Sequence, residues 1–129
     1  MRLSDHQAAF TQDVAALIRM APHIMPNHRV RLSYAERSIE EQARLHDKNP
    51  HGAAPPGKSQ HNSRLAVDLI LDRRTETGWQ WLSKSSHYLK LGQQWEMLSL
   101  WNRWGGRYSD GNHFERLTRL RPDTDILEA

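Results

Sequence analysis

Asp68 is out of keeping with its neighbours. It sits inside Leu65–Leu71, a short, mostly apolar and partly β-branched run that reads as a buried strand. On a strand, Leu65, Val67, Leu69 and Leu71 point to one side, and Ala66, Asp68 and Ile70 to the other. A carboxylate kept charged in that setting needs a cation, because burying an unpaired charge is too costly. Arg64 or Arg73 would serve, and so would a metal ion. His61 lies seven residues before Asp68, at the end of a Pro/Gly-rich loop. A ligand on the loop entering a strand and a second within that strand can converge on one ion.

A second cluster lies in the last third of the chain, where Asp110-Gly111-Asn112-His113 is followed by Phe114-Glu115. The chain has eight histidines and no cysteine, so any metal must be held by His, Asp or Glu. Two histidines, one aspartate and an open position suit a catalytic zinc. A free carboxylate beside them suits a general base acting on water. The plainer alternative is a polar turn capped by Asp110 with His113 on the strand that follows, and spacing alone leaves both open.

The elements that must position these residues follow from periodicity and punctuation. Residues 4–20 read as a helix with a capping-box pattern at Ser4 and Gln7 and an apolar stripe of Phe10, Val14, Leu17 and Ala21. Residues 28–33 alternate polar and apolar, as a half-buried strand does. Ser38 and Glu41 form a second capping-box pattern, opening a helix over 39–47. Residues 49–57 hold three prolines and two glycines and form a surface loop. Tyr88, Leu91, Trp95, Leu98 and Trp101 lie on one helical stripe, widened by Met97 and Trp104, which predicts a helix over 88–104 ended by Gly105-Gly106. Residues 108–115 read as a turn leading into a short strand. The expected architecture is α+β, one domain over 1–129, with helices packed on a small, mainly antiparallel sheet.

Composition narrows the function classes. At 129 residues, 37% hydrophobic and 26% charged, the chain suits one globular domain with its own core. The absence of cysteine excludes disulfide frameworks, thiolate zinc fingers and cysteine nucleophiles. No run of about 18 apolar residues exists, so no membrane insertion is expected. The net charge of +3 is carried by basic residues interleaved with acids. A nucleic-acid-binding domain would instead cluster them on one face.

The two clusters together resemble a known family. Ser59, His61, Arg64, Ala66, Asp68 and Leu69 are similar, in order and spacing, to the S-x-H-x-x-G-x-A-x-D-L signature of the zinc D,D-carboxypeptidase and L-alanyl-D-glutamate peptidase family. These are peptidoglycan-cleaving metallopeptidases related in site geometry to the hedgehog signalling domain. Trp104-Gly105-Gly106, then Asp110-Gly111-Asn112-His113-Phe114-Glu115, resembles the family's downstream W-G-G and D/E-x-x-H-F-E elements. Arg37-Ser38 with Gln42 looks like its R-S-x-x-x-Q segment. The three elements span 37–115, and the chain's size resembles that of phage L-alanyl-D-glutamate endolysins.

The resemblance implies a hedgehog-like peptidase fold with His61, Asp68 and His113 as zinc ligands and Asp110 as catalytic base. It implies that Arg37 holds a substrate carboxylate and that Ser59 stands beside the site, orienting the ligands. It also implies cleavage of peptidoglycan stem peptides, at L-Ala–D-Glu or, alternatively, as a D,D- or L,D-carboxypeptidase. A non-catalytic zinc-binding module is a further alternative, against which Asp110 argues. The expected partners are stem peptides and no nucleic acid, with the chain a monomer. Met1–His6 lacks the apolar stretch of a signal peptide. The expected location is therefore the host cytoplasm until the membrane is opened, and the cell wall afterwards. One departure stands out: Arg64 replaces the signature's Gly. If that position needs φ > 0, Arg carries strain there.

Overall fold

The computed structural model describes residues 1–34, 39–48 and 61–119. Its helices are α1 (Leu3–Ile24), α2 (Ile39–Lys48) and α3 (Leu89–Leu98). Its strands are β1 (His28–Tyr34), β2 (Ala66–Thr75), β3 (Gly78–Leu82), β4 (Asn102–Trp104) and β5 (His113–Arg116). All strand pairs are antiparallel, and the fold is α+β as expected.

The run around Asp68 becomes β2, the strand on which the sheet is built. The order is β1-β2-β5-β4, with β3 also paired to β2. β1 takes one edge of β2, from Asp68 to Arg73. The other edge is divided. β5 pairs with Ala66, Val67 and Asp68, and β3 with Leu71 to Thr75. A register shift between Leu32 and Tyr34 marks a bulge in β1 next to Asp68.

The predicted alternation along β2 holds. Val67, Leu69 and Leu71 are buried in one core with Phe10, Leu17 and Ala21 of α1 and Leu91 and Trp95 of α3. Leu82 and Phe114 face the same way from β3 and β5. Fully burying each of these large side chains contributes about 1.5–3 kcal/mol. Strand parity then puts Asp68, Ile70, Asp72 and Arg74 on the opposite face, away from both helices.

Several expectations need correction. The helix at 4–20 is longer, running Leu3–Ile24, with Pro22 inside its last turn. Its cap is not Ser4 with Gln7. Arg2 occupies the cap position, and its N–H donates to Asp5 Oδ2 at 3.0 Å. The helix expected over 88–104 stops at Leu98. Ser99 turns extended (φ −164°, ψ 144°), so Trp101 sits in a turn and Trp104 on β4. Gly105-Gly106 opens a short 3-10 turn rather than ending a helix. β3, which the sequence did not announce, exposes its first four residues. Ser38 of the second capping box lies outside the described residues, and Glu41 pairs with Arg44.

Candidate metal centre

Three elements bring the sequence candidates together. Asp68 is the third residue of β2 and pairs directly with His113, the first residue of β5, so their side chains leave the sheet on the same face. His61 reaches them from the turn 61–64 that precedes β2. That turn is fixed at both ends. Arg64 N–H donates to His61 O at 3.3 Å, and Gln7 Nε2 of α1 donates to Ser63 O at 2.9 Å. Gln7 therefore anchors the ligand loop, which accounts for its absence from the helix cap. Arg64 adopts φ +57°, the left-handed region that the signature's glycine enters freely.

The His113 end is held by the Trp104-Gly105-Gly106 turn. The Trp104 indole packs over Gly106, and its Nε1 donates to Gly111 O at 2.6 Å. A Cβ on Gly105 would stand 2.4 Å from Asp110 O and 2.9 Å from His113 Cβ, so only glycine admits this approach. Asp110 N–H donates to Gly105 O at 3.0 Å, and His113 N–H to Asp110 O at 3.1 Å. The D-x-x-H spacing is thus one hydrogen-bonded turn. It leaves Asp110 exposed beside the strand that carries His113.

The donor atoms converge on one carboxylate oxygen. Asp68 Oδ1 lies 3.2 Å from His61 Nε2 and 3.1 Å from His113 Nδ1. One donor atom from each residue lies within 4.8 Å of the other two. In a tetrahedral zinc site with bonds of about 2.0–2.1 Å, neighbouring ligand atoms are about 3.3 Å apart. The two Asp68 contacts have that spacing. Two imidazole nitrogens and one carboxylate oxygen are also the donor set of an open catalytic zinc. These residues fit the metal, and they are the ones expected. Arg64 and Arg73 are not needed to explain the Asp68 charge.

The electrostatics are those of a compressed site. Burial pushes the Asp68 carboxyl up, but the bonds to His113 and His61 outweigh it and hold the group well below the usual carboxylate range. Burial alone would lower the His113 pKa, yet Asp68 and Glu115 together raise it to about 10. Without metal, His113 is therefore an imidazolium clamped between two carboxylates. A metal ligand must give up that proton, so binding is coupled to proton release.

Glu115 has a different place from the free carboxylate suggested by its position in the sequence. Its Oε1 lies 2.7 Å from His113 Nε2, and its Oε2 accepts from Arg103 Nη2 at 3.0 Å. Burial raises its pKa, but the His113 and Arg103 contacts outweigh this and lower it. Both oxygens are engaged, whereas Asp110, in the turn that leads into His113, is exposed. The signal for Glu115 was present: residues i and i+2 of a strand share a face. Arg103, opposite Glu115 on β4, had no such signal. Arg37 and Ser59 lie outside the described residues.

Among the described residues no helix is long and apolar enough to cross a membrane. Over residues 53–116 the chain matches the family described as D-alanyl-D-alanine carboxypeptidase. The matched stretch is about half of the chain and contains His61, Asp68, Asp110, His113 and Glu115. The match supports this zinc peptidase family, and with it a peptidase related to peptidoglycan. No curated protein matches the chain.

Proposed function

From a chain whose residues 53–116 match that peptidase family around a His–Asp–His cluster, we propose a zinc peptidase that cuts peptidoglycan stem peptides at L-Ala–D-Glu. It would act as a phage endolysin, held in the host cytoplasm and reaching the wall once the membrane opens. The observation that carries the reading is the single Asp68 oxygen facing both His61 and His113 inside the matched stretch. The motifs from Arg37 to Glu115 are shared by the endopeptidases and the carboxypeptidases, so the products of digestion separate the two readings.

His61, Asp68 and His113 would hold the zinc, which supplies Lewis-acid polarisation of a carbonyl and acidifies water. Asp110 takes the proton of the attacking water and returns it to the leaving amine. Its position in the hydrogen-bonded turn that leads into His113, with its side chain exposed, supports this role. Arg37 would hold a carboxylate of the stem peptide through its guanidinium fork, fixing the peptide's orientation. Ser59 would support the ligand loop.

The test is mass spectrometry of purified peptidoglycan digested by the zinc-loaded protein, with a chelated control. New peptides beginning at D-Glu, absent from the control, are expected. Released D-Ala would move the assignment to a carboxypeptidase, and an unchanged digest would overturn the peptidase reading. Asp110→Ala is expected to keep zinc and lose turnover, whereas His113→Ala loses both. Retained turnover in Asp110→Ala would remove the base assignment.

A further inference from the structure

The face of the sheet that carries the metal cluster continues beyond it. Along β2 that face presents Asp68, Ile70, Asp72 and Arg74. Register places Arg29 of β1 and Trp81 of β3 on either side of Asp72, Arg31 opposite Ile70, and Trp79 opposite Arg74. Asp72 lies four residues from Asp68, or about 13 Å along a strand.

These side chains form an ordered group. Asp72 is 2% exposed and binds Arg31 through both oxygens, at 2.7 and 3.0 Å, and Arg29 Nε at 2.8 Å. The Arg29 guanidinium lies 4.4 Å from the centroid of the Trp79 ring and that of Arg74 5.5 Å from it. Trp81, two residues along on the same face, is 63% exposed, and the Arg29 and Arg31 side chains remain nearly half exposed. A guanidinium has five N–H donors, so one buried carboxylate orients the two arginines and leaves donors pointing outward. Among the described residues of this end of the face, three arginines stand against one aspartate.

A ligand for this surface must combine a flat apolar face with anionic groups. A pyranose ring offers the first, because its axial C–H hydrogens meet the negative face of an indole. Carboxylates offer the second, matched by the guanidinium forks. Sugar rings bearing acidic peptides have both.

We propose that Arg29, Arg31, Arg74, Trp79 and Trp81 form a second substrate-binding site. It holds an acidic saccharide segment of the polymer whose peptide reaches the His61–Asp68–His113 cluster. The choice of polymer rests on the peptidoglycan reading above, whereas the charge and shape of the face do not. Continuity along β2 makes the two sites one track, so a chain gripped at Trp81 is delivered towards Asp68.

Co-sedimentation of the zinc-loaded protein with purified peptidoglycan sacculi, kept cold and brief, tests this. Trp81→Ala and Arg74→Ala are each expected to need about tenfold more sacculi for half-retention, the scale of one aromatic or cation–π contact. Trp81→Phe should recover most of the retention, and Met97→Ala, at an exposed position on α3, should match the wild type. Unchanged retention in both alanine variants would overturn the site. So would an equal loss in Met97→Ala, or wild-type binding to phosphatidylglycerol vesicles but not to sacculi. Cleavage of a soluble stem peptide by the wild type is measured in parallel. Trp81-dependent retention without such cleavage supports the platform while rejecting the peptidase.

Discussion

Glu115 Oε1 lies 2.7 Å from His113 Nε2, while the other nitrogen of the same ring faces Asp68 Oδ1 at 3.1 Å. The two carboxylates therefore address the two ends of one imidazole. A carboxylate that accepts from one ring nitrogen fixes the tautomer and leaves the other nitrogen's lone pair for a metal. Glu115 is itself oriented by Arg103, so the chain of contacts crosses β4, β5 and β2 before it reaches Asp68. Glu115→Gln keeps an acceptor but removes the charge, and should weaken zinc binding by about 10- to 100-fold. Competition with a chromophoric chelator measures this directly, and unaltered affinity would deny Glu115 the orienting role.

The same clamp gives the metal-free protein a pH signature. The folded pKa of His113 is raised to about 10 from the ordinary 6.5. Its contribution to stability is therefore complete below pH 6.5 and is lost as pH rises towards 10. Asp68 and Glu115 are depressed, so theirs is present above the ordinary carboxylate pKa and lost on acidification. With zinc bound, His113 holds no proton on its ligating nitrogen, and the alkaline loss should disappear. Denaturant midpoints at pH 6 and pH 10, with chelator and with zinc, separate the cases. A chelated protein equally stable at both would show that the clamp does not form.

What the sequence made legible was the strand grammar around Asp68. Period-two alternation put Leu65, Val67, Leu69 and Leu71 in the core and Asp68 opposite, and the family resemblance joined His113 to it, which the register of β2 and β5 bears out. What it hid had physical causes. The stripe from Tyr88 to Trp104 keeps helical spacing across a real break, since periodicity does not register the extended Ser99. β3 offers no alternation in burial, because only Leu82 of its five residues is buried. His6 lies among polar neighbours in the sequence, yet it is 4% exposed, with its ring nitrogen bonded to a partner 110 residues away. Contacts of that sequence separation leave no local pattern to read.

Arg64 marks a cost the sequence already suggested. At φ +57° a non-glycine residue is strained by roughly 1–2 kcal/mol, and glycine's greater freedom in the unfolded chain returns about 0.5–1 of this. Arg64→Gly should therefore stabilise the protein by about 0.5–1 kcal/mol. It should leave zinc affinity unchanged, because the turn that presents His61 keeps its backbone path. A urea midpoint below that of the wild type would show that contacts of the arginine side chain outweigh the strain.

Arg116 Nε donates to His6 Nδ1 at 3.1 Å, joining β5 to the start of α1 beneath the metal cluster. The His6 ring also meets Trp101 edge-on, with centroids 5.0 Å apart. Burial, then the Arg116 charge, lowers the His6 pKa from its ordinary 6.5. The unfolded chain therefore takes up more protons than the folded one as pH falls through 6.5. Stability tied to His6 is present above that pH and is lost below it. His6→Gln keeps an acceptor for Arg116 but cannot titrate. Between pH 7.5 and 5.5 the wild type should lose stability that His6→Gln retains, as read by urea midpoints at the two pH values. Parallel losses in both proteins would assign the acid sensitivity to other groups and leave the His6–Arg116 contact a structural tie only.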